Sequence, residues 1–390
     1  MAIQNPLPNT LPEPSAEEKA HSERVGALIR DEIAHHGSIP FGRYMELALY
    51  APGLGYYTAG KQKFGSAGDF VTAPEAYPVF GRCLARTAIE VLGWLGGGAI
   101  LEVGAGSGKL AATMLTELAE RGALPEAYYI LELSPDLRER QVATIRQTAP
   151  EHAAGVRWLD HLPEAGFRGL VVANELLDAM PVERFKVAGR TAKQLGVTWR
   201  EGRFDWIERP APPIVAERVE SLALASGYIS EIGLAAEAWV RTIGERVAAG
   251  VLLLIDYGFP RAEFYHPDRA NGTLMCHYRH RAHPDPLILS GLQDITAHID
   301  FTAIAQAGVD VGMNLLGYTS QAAFLIGSGL DEFARASNPN DVRAHLALTE
   351  QIKKLTLPHE MGELFKVCAL GRGPAQGLSA FRIQDRRSRL

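Results

Sequence analysis

The run Leu101-Glu102-Val103-Gly104-Ala105-Gly106-Ser107-Gly108 carries the most pointed chemistry in the chain. An acid sits near the end of an apolar stretch, and glycines follow at alternate positions. Glycine lets the backbone turn sharply after a strand and brings bare peptide against a ligand. A dinucleotide-binding turn reads G-x-G-x-x-G and offers its backbone and helix N-terminus to a pyrophosphate. Here the third glycine arrives one position early, and Lys109 stands where that motif needs glycine. A carboxylate just ahead of the turn would repel a pyrophosphate, but beside a cationic sulfonium and ammonium it is favourable. The pattern points to S-adenosyl-L-methionine, with a ligand-free strand-to-helix turn as the plain alternative.

Other acids fall where the same ligand would need them. Glu132 ends the next apolar run, where a carboxylate accepts from ribose hydroxyls. An NAD enzyme would also place an acid there, and helix capping before Ser134-Pro135 is the bland reading. Asp160 closes VRWLD, placed either to accept from an adenine amino group or to face water. Ala105 and Leu133 are grouped with these as cofactor contacts. Asn174-Glu175-Leu176-Leu177-Asp178 follows the fourth strand, where the methyl would be transferred. A helix starting near Asn174 would put Glu175 and Asp178 on one face. The pair would then suit a cationic nucleophile such as a guanidinium. Equally, Asn174 would serve as N-cap, with acids favoured in the first turn. Asp256-Tyr257 is a weaker candidate for the same wall.

Two further motifs invite overreading. Thr72 to Glu75 forms a T-x-x-E capping box with proline in the first turn, which leaves Asp69 unexplained. His277, His280 and His283 recur every third residue, but no carboxylate or cysteine partner is suitably spaced. They read as a polar loop, and no metal site is expected.

Positioning these residues requires alternating strands and helices. AILEV, YYILEL, VRWLD, GLVVANE and VLLLIDYG read as strands, the first, second and fourth each followed by a helix start. Such alternation implies an α/β fold of Rossmann-like type, with a mostly parallel sheet and helices on both faces. Ligands then sit outside the carboxyl ends of the strands. Ahead of this region, a proline-rich arm leads into helices over 15–36 and 41–49 and a glycine- and aromatic-rich stretch over 50–75. Hairpins around Gly189-Arg190 and Glu201-Gly202 interrupt the rhythm, and a helix over 232–249 restores it. A further helix is expected over 295–307 and a last strand over 364–373. The expected bounds are 1–95 for the N-terminal lid region, 96–188 and 251–390 for the two parts of the main domain, and 189–250 for the insertion.

Composition narrows the partners. The 390 residues are 47% hydrophobic and 22% charged, with a formal net charge of −6, as in a globular enzyme. No basic excess exists to bind a nucleic acid backbone. Three scattered cysteines suggest neither disulfides nor structural zinc, and a reducing compartment. No signal-peptide pattern opens the chain and no run suggests membrane insertion, so a cytoplasmic location is expected. Nothing in the pattern specifies an oligomeric state.

FGRYMELALYAPGLGYYTAG, KFGSAGDFVTAPE, LEVGAGSGKLA, ANELLDAMPVERF, LLIDYGFPR and GLQDITAHIDF, in this order, resemble the MidA family of methyltransferases. The resemblance runs from about Phe41 to about Gly373 and implies a class I S-adenosylmethionine methyltransferase. Mitochondrial members assist assembly of respiratory complex I by dimethylating an arginine of a core subunit. By motif, Gly104, Gly106, Gly108 and Glu132 would bind cofactor, and Asp69, Asn174, Glu175 and Asp178 would face the reaction. The expected chemistry is direct methyl transfer to nitrogen on a protein side chain. The rival readings are a catalytically silent assembly factor, an NAD(P)-dependent oxidoreductase and a small-molecule methyltransferase.

Overall fold

The structure, a computed structural model, describes residues 11–60, 72–373 and 377–390. Its contacts divide the chain into two compact units. The larger comprises the described parts of 71–177, 237–260 and 301–390. Its strands are β1 (Ala99–Val103), β2 (Ala127–Leu131), β3 (Val156–Leu159), β4 (Phe167–Asn174), β5 (Val247–Phe259), β6 (Asn314–Ser320) and β7 (Phe365–Arg372). They lie side by side in the order β6-β7-β5-β4-β1-β2-β3. The first five are mutually parallel, and β7 runs antiparallel to both β5 and β6. This is the mostly parallel Rossmann-like sheet that the alternation predicts; β6 is an addition to it.

The chain runs outward from β1 to β3, then crosses back to β4 on the other side of β1. That reversal places a topological switch point at the carboxyl ends of β1 and β4, the crevice where such sheets take ligands. Helices α1 (Pro78–Leu95), α2 (Lys109–Glu120) and α3 (Pro135–Thr148) belong to this unit. Residues Val251 to Ile255 of β5 are all fully buried, as expected of a strand covered on both faces. Val79, Phe80, Leu84 and Val91 of α1 share one apolar core with Ile100, Leu170 and Val251. For this reason α1 belongs with the sheet, rather than with the N-terminal region to which the expected bounds gave it.

The other unit comprises the described parts of 1–70 together with 178–236 and 261–300. Ser15 caps the helix Ala16–His36 in a reciprocal pair with Glu18, and a second helix spans Phe41–Tyr50. Strands Glu183–Ala188, Thr191–Arg200 and Arg203–Pro210 form the two expected hairpins. Glu201 and Gly202 both adopt left-handed backbone, the twist that a two-residue hairpin turn favours. The helix expected over 295–307 instead spans Phe301–Asp310. Asp294–Thr296 is a strand, because its backbone pairs laterally with Met275–His277. His277 and His283 lie on paired strands, with His280 in the turn between them. Among the described residues, no group of three or more His, Cys, Asp or Glu is arranged to hold a metal. No described helix is long and apolar enough to cross a membrane. The three cysteines are buried and free.

At the amino ends of the central strands, backbones approach too closely for any side chain. A Cβ on Gly169 would lie 1.8 Å from the Ala99 carbonyl oxygen, and Gly169 also holds a positive φ of 146°. Gly169→Ala should therefore destabilise the fold by about 3 kcal/mol or more, read as a fall in the urea midpoint.

Candidate active site

The turn after β1 departs from extended geometry at each of its glycines. Gly104, Gly106 and Gly108 have φ of 71°, 53° and 85°. A Cβ on Gly108 would meet Gln141 Cα at 2.9 Å, whereas Gly106 faces open space. Bare peptide is thus presented at the switch point, with Ala105 buried inside the turn.

One buried amide holds this turn to the next strand. Gln141 Nε2 donates to the Gly106 carbonyl at 3.0 Å and to Glu132 Oε2 at 2.9 Å. Its Oε1 accepts from Trp158 Nε1 at 2.9 Å, so the amide orientation is set from β3. Glu132 also accepts from the Ser134 N–H at 2.9 Å, while Ser134 itself caps α3. Burial pushes the Glu132 carboxyl above its ordinary range, and these bonds partly offset that. Gln141 was missed from sequence. It shares the buried face of α3 with Leu137 and Ile145 at four-residue spacing, and a polar residue on that apolar stripe is the signal.

The remaining cofactor candidates sit at strand ends. The Leu133 side chain is 73% exposed, a large apolar surface beside the Glu132 carboxylate. Asp160 is exposed, and Arg138 holds its Oδ1 with two donors at 3.0 Å while also bonding the Leu159 carbonyl. Glu102 lies in the core beneath the turn. It accepts from the Tyr128 hydroxyl at 2.6 Å, and that hydroxyl also touches Met114 of α2.

The segment after β4 differs from expectation. No helix starts at Asn174; the strand ends there and Glu175 turns with a φ of 50°. The Glu175 N–H donates to the Ile255 carbonyl and the Leu177 N–H to Asp256 Oδ2, both at 2.9 Å. Donors that a helix would have left for its first turn are taken by β5. Asp256 therefore positions this turn instead of lining a wall with Tyr257, whose N–H it also accepts. Glu175 accepts from Asn174 Nδ2 at 3.1 Å, while Asn174 Oδ1 is buried with no donor among the described residues. Asp178 falls in the other compact unit, buried in the neighbourhood of Tyr57, whose hydroxyl donates to Asp294. The shared helical face for Glu175 and Asp178 is not formed.

Asp69 lies outside the described residues. Thr72 precedes the short helix Ala73–Ala76 but makes no side-chain cap. Glu75 instead reaches the glycine turn, where it accepts from the Ser107 hydroxyl and pairs with Lys109 at 3.2 Å.

Burial pushes the Glu102 carboxyl up to about 7 from its ordinary 4.5, with the Tyr128 bond opposing. The folded chain thus retains a proton that the unfolded chain has lost between these values. Stability is greatest below the ordinary value, falls as pH rises toward 7 and levels above it. Urea midpoints between pH 5 and 8 should reveal this loss, of up to about 3 kcal/mol. In Glu102→Gln the contribution should vanish, because the amide keeps the Tyr128 bond without ionising.

The geometry fits S-adenosyl-L-methionine: bare peptide, a half-buried acid, an exposed apolar side chain and an acceptor without a donor among the described residues lie at the carboxyl ends of the adjacent strands β1, β2 and β4. A family model for S-adenosyl-L-methionine-dependent methyltransferases matches residues 83–319. A Burkholderia thailandensis protein solved bound to S-adenosyl-homocysteine is 48% identical, with a TM-score of 0.95 covering 98% of this chain and 100% of that one. The mitochondrial protein arginine methyltransferase NDUFAF7 homolog of Drosophila melanogaster is 26% identical over 94% of this chain and 89% of its own length. Its Homo sapiens counterpart is 25% identical, over 90% and 84%. With S-adenosyl-L-methionine as its cofactor and methyl transfer as its chemistry, the chain belongs to the MidA-like family of methyltransferases.

Proposed function

We propose that the turn after β1 holds the cofactor and that Asn174 and Glu175 face the acceptor, an arginine nitrogen of a protein. The observation that carries the reading is Asn174 Oδ1, a buried acceptor with no donor among the described residues, at the carboxyl end of β4. A buried polar atom without a partner is costly, and an N–H from a bound molecule removes that cost. The arginine acceptor is supported by the relatives named protein arginine methyltransferase. Within that class, an arginine of a respiratory complex I subunit follows from the MidA resemblance, and a cytoplasmic setting is part of the same reading.

In this scheme Glu132 would accept from the ribose hydroxyls, and Leu133 and the peptide from Gly104 to Gly108 would help to hold the rest of the cofactor. Asp160, fixed by Arg138, stands at the end of β3 for the adenine amino group. S-adenosyl-L-methionine supplies, when bound, a methyl already activated on a sulfonium. The protein then contributes alignment and electrostatics. A guanidinium is a poor nucleophile because it keeps its proton at any ordinary pH. Glu175 would orient one of its nitrogens and receive the proton that nitrogen loses. Asp256, by pinning the Leu177 N–H, keeps Glu175 at the strand end.

Three outcomes are expected. Glu132→Gln should weaken S-adenosyl-L-methionine binding about ten- to a hundredfold by calorimetry. Glu175→Gln should lower kcat by about 10²-fold or more with cofactor affinity retained; unchanged turnover would refute its role. Incubation with labelled cofactor and complex I subunits should place label on arginine, located by mass spectrometry. Cofactor binding with no transfer to any protein would favour the catalytically silent assembly factor instead.

A further inference from the structure

A lysine follows the glycine turn directly, and its charge has the same sign as the sulfonium of the proposed ligand. Lys109 opens α2 directly after Gly108, so an ammonium-bearing residue immediately follows the turn proposed to receive a cationic sulfonium. The structure shows where that charge is held. Lys109 Nζ donates to the Glu75 carbonyl at 2.9 Å and lies 3.2 Å from Glu75 Oε2. The Glu75 side chain is only 8% exposed, and its other oxygen accepts from Ser107. Both residues flanking Gly108 are thus held by a single carboxylate. The Thr72-Glu75 capping pattern leaves this arrangement unexplained, since Thr72 makes no cap.

We infer that Glu75 is a positioning and charge-balancing residue, clasping Lys109 so that the turn can accept the sulfonium cation. The inference rests on the turn being the cofactor site. It makes Glu75 a determinant of preference between S-adenosyl-L-methionine and S-adenosylhomocysteine, which differ by one methyl and one positive charge. An uncompensated ammonium repels the first and is indifferent to the sulfur of the second. In Glu75→Gln one side-chain oxygen can still accept from Ser107 and the backbone carbonyl still accepts from Lys109, so part of the tether is kept while the charge is lost.

Calorimetric titration of the full chain with both ligands tests this. Glu75→Gln should weaken S-adenosyl-L-methionine at least about threefold more than S-adenosylhomocysteine, with a difference that shrinks at high salt. Adding Lys109→Gln to that variant should restore the native ratio, because no unmatched cation remains. Equal losses for both ligands, or a ratio that the second substitution does not restore, would reduce Glu75 to a structural tether. If the unaltered protein binds neither ligand, it is the cofactor-site reading that fails.

Discussion

The amide of Gln141 ties the Gly106 carbonyl to the Glu132 carboxylate, and the geometry of the glycine turn depends on that fork. Three glycines in left-handed backbone expose peptide but cannot hold themselves in place. Without a cross-tie the turn would be free to relax away from the end of β2, where Glu132 stands. Gln141 supplies the tie from α3, and Trp158 of β3 fixes which end of its amide points where. Three adjacent strand ends are thereby held in register by one side chain that never reaches the surface.

Charge around this turn follows from desolvation as much as from sequence. Glu102 is buried and Glu132 half-buried, and desolvation holds both acids above their ordinary range, so ionising either is costly without a cation or a donor nearby. Glu132 is partly offset by N–H donors that include Ser134 and the Gln141 amide, and Glu102 by the Tyr128 phenol. A positively charged ligand held at the proposed site would act on both through a medium of low effective dielectric. The burial that makes these charges costly is what would make a nearby cation favourable.

Much of this was legible in the residues. The strands AILEV, YYILEL, VRWLD, GLVVANE and VLLLIDYG all appear in the sheet, because short apolar runs flanked by turn residues have few other ways to be buried. Both hairpins appeared where glycine permits left-handed backbone. The helix expected after Asn174 did not. Asn followed by spaced acids is a sound N-terminal pattern, but Asp256 and the Ile255 carbonyl, far along the chain, capture the amides the helix would need. The Thr72–Glu75 box failed for the same reason, since Glu75 is taken by Ser107 and Lys109.

Local order, then, was written in the sequence: which runs are strands, where the glycine turn falls, and which acids close each strand. Those features depend on neighbours a few residues away, through backbone freedom and the period of apolar side chains. Tertiary structure decided which polar groups meet. It chose Gln141 for the turn, Asp256 for the segment after β4 and Glu75 for Lys109, and it assigned Asp178 to the other unit. A buried donor or acceptor must find a partner wherever the packed chain supplies one, and no local pattern records where that will be.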